Sequence, residues 1–413
     1  MTKLRRIAVA ATALLASTAQ ANPVSDWMDA AGRHMREAAR PGGPGTAGTY
    51  TPAIMATLTR VAAAMYEAAN AADRRYTPYF DLPAAKRPAS AEAAVSTAAH
   101  DVLVALYPAR RADLDEALAF DLAEIPDGPA EDEGVRLGRE AAKAALARVV
   151  FDPTGPFPAY VPPVQPGVYD STTDPGPPSW AFGYRPWLLP SLKAVYPAPP
   201  PPLDSDAYRR SYAETKEIGA KDSRTRTPAQ TAAAKFWRDA EEPDPTLRAI
   251  FSRPGRRLVD DARLNALVHL SRLDAVHVID TSKREILRWR PVTAIRLGEK
   301  DGDPATVGDP HWEPLLRTPT TPEYPCGHCT AAATFAAVME AETGPVARDA
   351  RFFSEAMPGA GTLGMRWADY ARRASESRIW GGVHFRYSAE AGEKLGREIA
   401  RVARANFARP LKR

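Results

Sequence analysis

The sequence predicts an all-α protein in which two helical regions flank a proline-rich segment. Apolar residues recur at helical spacing through most of the chain outside residues 152–206. No run of alternating apolar and polar residues is bounded by turn residues, as a surface strand would be. The chain has 413 residues, of which 45% are hydrophobic and 25% charged, so it has ample apolar material for a core. This composition excludes collagen-like, wholly disordered and polytopic membrane proteins.

The N-terminal segment, residues 1–21, has the features of a secretory signal peptide. Three basic residues in the first six positions precede a largely apolar stretch over residues 7–16. Ala19-Gln20-Ala21 then follows at the spacing of a signal peptidase site. The apolar stretch is far shorter than the ~20 residues that a membrane-spanning helix requires. We therefore expect cleavage after Ala21 and a mature protein that is periplasmic or secreted.

The net charge indicates which partners the mature chain can bind, and the cysteine content indicates what stabilises it. Loss of Lys3, Arg5 and Arg6 with the signal segment lowers the formal net charge from +4 to +1. A nearly neutral chain gives no reason to expect nucleic acid or an anionic membrane as partner, and no later segment predicts a membrane span. Two cysteines, Cys326 and Cys329, are too few for a disulfide framework. Stability must therefore come from packing.

Residues 22–151 are predicted to form an N-terminal helical bundle. Thr51-Pro52 supplies an N-cap followed by proline at the first helical position. The apolar residues that follow recur at steps of three or four and form one stripe; they are Ile54, Leu58, Val61 and Met65. Further helices are predicted from Ser90 to the residue before Pro108, over 110–124 and over 129–149. Four helices with short connections indicate half of a bundle.

Residues 152–206 are predicted to form a long proline-rich strap. They contain 16 of the 40 prolines of the chain, which excludes a helix interior or a central strand. They also contain Trp180, Phe182 and Trp187, whereas a free linker is poor in aromatic residues. We therefore expect the strap to pack on the helices.

Residues 207–413 are again predicted to be helical. Thr227-Pro-Ala-Gln230 is a capping box that opens a helix ending near Asp239. Other helices are predicted over residues 256–281, 328–343, 363–380 and 387–408.

Three short segments of this C-terminal region carry the polar groups suited to chemistry. Lys283 and Arg290 are seven residues apart, about two helical turns, and would share one face of a helix. Pro325-Cys326-Gly327-His328 precedes an Ala-rich helix, whose N–H groups and dipole favour an anion. In the third segment, Arg378 and His384 flank a Gly-Gly pair. Together these segments supply what a protein needs to bind a tetrahedral oxyanion.

The three segments resemble the signature shared by vanadium-dependent haloperoxidases and the type 2 phosphatidic acid phosphatase superfamily. That signature reads Lys, six residues, Arg-Pro; then Pro-Ser-Gly-His; then Ser-Arg, five residues, His, three residues, Asp. Here it reads Lys283 and Arg290-Pro291; Pro325-Cys326-Gly327-His328; and Ser377-Arg378 with His384. Residues 225–345 are also similar to soluble bacterial members described as haloperoxidases. The resemblance implies helical bundles of the haloperoxidase and acid phosphatase type.

The resemblance also implies a role for each matched residue. Five residues would bind the oxygens of phosphate or vanadate; they are Lys283, Arg290, Cys326, Gly327 and Arg378. His384 would be the axial residue, which is the nucleophile of a phosphatase or the single vanadium ligand of a peroxidase. His328 would be the catalytic acid and base.

Two positions depart from the family pattern. Cys326 stands where the family has serine, and a thiol is a weaker hydrogen-bond donor that peroxide can oxidise. Ser388 stands where the family has the aspartate that orients the axial histidine. Glu390 is displaced from that position by two residues, so we expect His384 to lack a carboxylate partner.

The leading function is therefore that of a haloperoxidase, with vanadate as cofactor and halide and peroxide as substrates. Chain length and the similarity outside the signature favour this branch. The alternative is an acid phosphatase that hydrolyses soluble phosphomonoesters through a phosphohistidine and needs no cofactor. A remote alternative is a thiol-disulfide oxidoreductase, because Cys326-Gly-His-Cys329 is the redox tetrapeptide of protein disulfide isomerases. The sequence leaves open a disulfide between these cysteines and assembly into a homo-oligomer.

Overall fold

The computed structural model describes residues 22–38, 51–149, 165–170, 185–238, 243–354, 356–357 and 359–411. The predicted signal segment, residues 1–21, lies outside these ranges, so export stays a prediction. The described residues form thirteen α-helices, two short 3₁₀ helices at Pro108–Arg110 and Gly298–Asp301, and one two-stranded sheet. The all-α prediction is therefore confirmed.

The helices follow one another along the chain in this order: α1 Pro23–Ala38, α2 Thr51–Ala72, α3 Ala91–Leu106, α4 Arg111–Ala123, α5 Pro129–Ala147, α6 Asp206–Ile218, α7 Pro228–Phe236, α8 Asp244–Phe251, α9 Leu258–Ile286, α10 Pro291–Arg296, α11 Gly327–Thr343, α12 Trp367–Trp380 and α13 Arg386–Asn406. Strands β1 (Val346–Phe353) and β2 (Gly361–Arg366) lie between α11 and α12.

Helices α2 to α5 pack on one another in the N-terminal part of the chain. Ser90 caps α3 by accepting a hydrogen bond from the Ala93 N–H. Helix α5 lies close against α3 because Gly138 faces it: a Cβ at Gly138 would lie 2.6 Å from the Ala94 carbonyl oxygen. Helix α2 also packs on α9, so one apolar core continues from this region into the C-terminal one.

Helix α9, with 29 residues, contacts helices of both the N-terminal and the C-terminal region. It contacts α2 on one side and α11 and α13 on another. Its predicted range, 256–281, ends five residues too early, because the helix continues to Ile286. The additional turn carries Lys283, which is buried.

Helices α11 and α13 are packed more closely than bulky residues would allow. A Cβ at Gly392 would lie 2.6 Å from the Cys326 carbonyl oxygen, and one at Gly396 would lie 2.4 Å from that of Thr330. The close contact brings the first turn of α11 beside the first turns of α13.

The described part of the strap, residues 165–170 and 185–205, contains neither helix nor strand. The buried carboxylate of Asp274 on α9 accepts hydrogen bonds from the N–H groups of Trp187, Leu188 and Leu189, at 2.6 to 3.0 Å. The Tyr79 hydroxyl donates to the Trp187 carbonyl at 2.7 Å. These residues therefore pack on the helices, whereas Trp180 and Phe182 lie outside the described residues.

The predicted helix over residues 363–380 is partly wrong, because its first four residues belong to strand β2. β2 pairs with β1 in an antiparallel ladder that has an irregularity between Ala347 and Arg351. Gly364 has a φ of 53°, which a helix does not tolerate. Phe352 on β1 stacks on Tyr370 of α12 at 4.9 Å, so the hairpin completes the core beside α12.

Within the described ranges, no helix combines the length and the apolar character that crossing a membrane would require.

We predict that Gly396→Ala lowers the free energy of unfolding by about 2–3 kcal/mol, because its Cβ would overlap the backbone of α11. Urea unfolding measures this loss. The matched control is Gly32→Ala in α1, where a Cβ meets only the flexible end of Arg36, at 3.2 Å. That change should leave stability unchanged or raise it by up to ~1 kcal/mol. Equal effects of the two substitutions would contradict the close packing of α11 and α13.

We also predict that buried His277 on α9 makes the protein sensitive to acid. Burial lowers the pKa of His277 to about 3, so the unfolded chain binds a proton below pH ~6.5 that the folded chain does not. Stability is therefore full above that pH and falls as the pH drops. At pH 5, protonation of His277 in the unfolded chain lowers the free energy of unfolding by about 2 kcal/mol relative to neutral pH.

Urea unfolding of the wild type and of His277→Gln at pH 7.5 and pH 5 tests this. The stability lost between the two pH values should be smaller in His277→Gln by that amount. An identical loss in both proteins would show that His277 is not held neutral.

Candidate oxyanion-binding site

His384 lies in the tight connection between α12 and α13, at the centre of the candidate site. Its backbone N–H donates to the Arg378 carbonyl at 3.3 Å, so the residues that flank the Gly-Gly pair are close in space. Gly382 has a φ of 73°, and a Cβ there would lie 2.4 Å from the Gly219 carbonyl oxygen. The turn therefore requires glycine at position 382. His384, which this turn carries, is only 3% exposed.

Three cationic side chains surround the His384 ring. Arg290 Nη1 lies 2.9 Å from His384 Nε2. Burial lowers the pKa of His384 well below its usual value, and Arg290, Lys283, Arg378 and His328 lower that pKa further. The structure thus brings together the five side chains that the signature contributes from segments a hundred residues apart.

Lys283 and Arg290 meet in space, but not on one helical face as the spacing predicted. Helix α9 ends at Ile286, Leu287 has a φ of 51°, and Arg290 is the extended residue before α10. The seven-residue spacing therefore spans a break between two helices. Both side chains nevertheless reach the segment that precedes Cys326.

Lys283 and Arg290 hold that segment, residues 321–323, beside His384. Lys283 Nζ donates to the carbonyl oxygens of Pro322 and Glu323, the latter at 3.1 Å. Arg290 Nε donates to the Thr321 carbonyl at 2.7 Å, and its Nη1 donates to the Val383 carbonyl at 2.9 Å. The cations therefore connect this segment to the turn that carries His384.

Glu323 is the site residue that the sequence reasoning missed. Its fully buried carboxylate oxygen Oε1 lies 2.9 Å from His384 Nδ1 and accepts from the Phe385 N–H at 3.1 Å. Nδ1 therefore carries the proton of the neutral ring, and the lone pair of Nε2 faces Arg290. Burial raises the pKa of Glu323, and the positive charges of Arg290 and Lys283 oppose that rise.

The expectation that His384 lacks a carboxylate partner is thus wrong. Ser388 does not contact the ring in any hydrogen bond; its Oγ lies 3.5 Å from the Glu323 carbonyl oxygen. Glu390 is exposed. The family pattern directs attention to these positions on α13, whereas the carboxylate comes from the segment before α11. The feature of the sequence that could have pointed to it is an acidic residue two positions before Pro325, next to the signature motif. The structure shows that Glu323 and the residues on either side of it are buried.

His328 and Gly327 form the first turn of α11. His328 Nε2 lies 2.8 Å from the Trp237 carbonyl oxygen, so Nε2 carries the proton. Burial lowers the pKa of His328 well below its usual value, and the charge of Arg378 lowers it further, so the ring is neutral. A Cβ at Gly327 would lie 3.1 Å from Ile279 Cγ2 and 3.7 Å from Lys283 Cε, so glycine lets the helix start lie against Lys283.

Cys326 and Cys329 form a disulfide in this first turn. Cys326 Sγ accepts a hydrogen bond from the Cys329 N–H at 3.2 Å, as a capping side chain does. A disulfide sulfur has no proton, so the predicted donation from the Cys326 thiol to an oxyanion is wrong. Both cysteines are fully buried against Ile379 and Ala389. This burial argues against a thiol-disulfide oxidoreductase, whose attacking sulfur must be accessible.

The donor set fits an oxyanion better than a bare metal cation. Three buried basic side chains and the buried carboxylate of Glu323 surround one imidazole, so positive groups outnumber negative ones at this point, which favours an anion over a cation. Across the residues that the structure describes, no three His, Cys, Asp or Glu side chains are grouped as metal ligands. The residues present therefore fit a tetrahedral oxyanion such as phosphate or vanadate.

We predict that the unreduced, denatured chain contains no free thiol. Alkylation followed by mass spectrometry should detect no modified cysteine before reduction and two after it. Replacing both cysteines by serine should lower the free energy of unfolding. The loss should be only about 2 kcal/mol, because a disulfide that closes so short a loop removes little entropy from the unfolded chain. Two alkylated cysteines without reductant would contradict the disulfide.

Part of the chain matches a known family model, and its fold matches solved structures. Residues 263–413 match the family model of the VCPO second helical-bundle domain. The fold is similar to that of the first bacterial vanadium-dependent iodoperoxidase, with a TM-score of 0.71 and 18% identity over 95% of this chain and 98% of that one.

Two further solved structures have the same fold. One is a holo-type bacterial vanadium-dependent chloroperoxidase, with a TM-score of 0.63 and 17% identity over 86% of this chain and 91% of that one. The other is an apo-type chloroperoxidase, with a TM-score of 0.64 and 16% identity over 90% and 96% of the two chains. None of the curated protein sequences matches this chain significantly. Residues 263–413 thus match the VCPO second helical-bundle domain, and the fold of the chain is similar to that of vanadium-dependent haloperoxidases.

Proposed function

We propose that the protein is a vanadium-dependent haloperoxidase that oxidises a halide ion with hydrogen peroxide. The observation that carries this proposal is the lone pair of His384 Nε2, which faces Arg290 inside a ring of buried cations. The fold supports it, because the similar solved structures are described as iodo- and chloroperoxidases. Export through the predicted signal segment is part of the same proposal.

In this proposal three side chains neutralise the oxygens of vanadate: Lys283, Arg290 and Arg378. The planar guanidinium fork of arginine pairs with two oxygens at once and keeps its charge. Burial lowers the pKa of Arg290 to about 10, so this residue stays protonated at neutral pH. Burial also lowers the pKa of Lys283, and Arg290 lowers it further, whereas a bound anion would favour the charged form of that lysine.

His384 and His328 would divide the remaining work. His384 Nε2 would supply the one bond from the protein to vanadium, while the Gly327 N–H at the start of α11 would bind an oxygen. Bound vanadate would supply Lewis-acid activation of peroxide for the two-electron oxidation of halide. His328 would act as general base and acid at Nδ1, because its Nε2 donates to the Trp237 carbonyl.

The second candidate function is an acid phosphatase for soluble phosphomonoesters. The same Nε2 lone pair would serve as nucleophile, since a neutral imidazole surrounded by cations can attack a bound phosphoryl group. Phosphate and vanadate have the same tetrahedral shape, so this site suits either anion. Vanadate would then be an inhibitor rather than a cofactor.

We predict that orthovanadate raises peroxide-dependent halide oxidation by the purified protein and that His384→Ala lowers the vanadate-dependent rate at least ~100-fold. Iodide, bromide and chloride are assayed in parallel, together with hydrolysis of p-nitrophenyl phosphate. The matched control is His311→Ala, which removes an exposed histidine outside the site and should leave the rate unchanged.

The paired assay separates the two candidates. Halide oxidation that requires vanadate supports the haloperoxidase. Hydrolysis of p-nitrophenyl phosphate that vanadate inhibits, without halide oxidation, would establish the phosphatase instead. Unchanged activity in His384→Ala would refute both.

A further inference from the structure

We propose that Glu323 is the positioning residue of His384, and that in this chain it takes the part that an aspartate on α13 plays in the family signature. The proposal rests on the proposed function of the site, because it concerns the residue that would bind the oxyanion. Two hydrogen bonds carry it: Glu323 Oε1 accepts from His384 Nδ1 at 2.9 Å and from the Phe385 N–H at 3.1 Å.

The charges around His384 show why the ring needs this partner. Apart from Glu323, the groups whose charge acts on the ring are all basic. They are Arg290, Lys283, Arg378 and His328. Without an acceptor at Nδ1, no hydrogen bond would favour the tautomer that carries the proton on that nitrogen. Glu323 is the one carboxylate bonded to the ring among the residues that the structure describes, so it keeps the Nε2 lone pair directed at the cations.

The position of Glu323 is itself fixed by the cations of the site. Lys283 Nζ donates to its carbonyl oxygen at 3.1 Å, and Arg290 holds the neighbouring Thr321 through both backbone and hydroxyl oxygens. The second hydrogen bond, to the Phe385 N–H, joins the same carboxylate oxygen to the backbone beyond His384. Glu323 therefore orients both the ring and the backbone of the turn that carries it.

Ser388 complements this arrangement. It is fully buried, lies in the first turn of α13 four residues after His384, and has its Oγ 3.5 Å from the Glu323 carbonyl oxygen. An aspartate at position 388 would bring a second carboxylate into the same buried region, where two negative charges repel. Glu323 and an acidic residue 388 are thus alternative sources of one carboxylate, so the carboxylate should be movable between them.

Three variants test this: Glu323→Gln, Glu323→Ala, and Glu323→Ala combined with Ser388→Asp. Binding of inorganic phosphate to the full chain is measured by calorimetry, and the tautomer of His384 is measured by NMR with ¹⁵N-labelled histidine. The His384→Ala spectrum assigns the His384 signals. Glu313→Gln, which removes an exposed carboxylate paired with Lys221, is the matched control.

We expect Glu323→Gln and Glu323→Ala to weaken phosphate binding 10- to 100-fold and to shift the His384 ring away from the Nδ1–H tautomer. Adding Ser388→Asp to Glu323→Ala should restore affinity to within about threefold and restore the tautomer. Glu313→Gln should change neither quantity. Glu323→Gln keeps the shape of the side chain, so its result stands even if Glu323→Ala folds poorly.

An unchanged tautomer and unchanged phosphate affinity in Glu323→Gln would overturn the proposal. So would a loss in Glu323→Ala that Ser388→Asp leaves uncorrected, because the proposal requires that a carboxylate supplied from α13 can replace that of Glu323. The tautomer is measured without any anion or turnover. A tautomer that responds as expected in a protein that oxidises no halide would therefore support Glu323 while refuting the haloperoxidase.

Discussion

The burial of Lys283, Arg290 and Arg378 around one neutral imidazole is the constraint on which the rest of the site depends. Removing cations from water costs free energy unless partners compensate them. Here backbone carbonyls of residues 321–323 and of Val383 accept hydrogen bonds from Lys283 and Arg290. Those bonds also determine where the backbone runs, so the anion site and the local fold stabilise each other.

Close helix packing gives this arrangement its rigidity. Gly392 and Gly396 let α13 lie against the backbone of α11, and the contact brings the two segments that carry His328 and His384 together. Gly134 and Gly138 allow the same close approach of α5 to α3 in the N-terminal region. The protein therefore uses backbone contact through glycine pairs in both halves, and bulky apolar residues fill the spaces between helix pairs.

Each of the two residues that depart from the family signature contacts another residue that bears on the change. Where serine would donate a hydroxyl proton, Cys326 pairs with Cys329 in a buried disulfide that also caps α11. Where aspartate would meet the axial histidine, Ser388 leaves room beside Glu323, which supplies a carboxylate from another segment. Cys329 lies three residues from Cys326 in the same turn, whereas Glu323 comes from a segment 65 residues before Ser388.

The sequence alone determined the all-α class, the capping box at Thr227, the helix starts at Ser90 and next to His328, and the match of three segments to the family signature. Helical periodicity, caps and motif spacing are local properties, so local sequence is enough to show them. Tertiary structure alone decided that Lys283 and Arg290 approach His384 across a helix break, that Glu323 is its carboxylate partner, and that residues 361–366 form a strand. These outcomes depend on which distant side chains are buried together, and sequence separation carries no information about that distance.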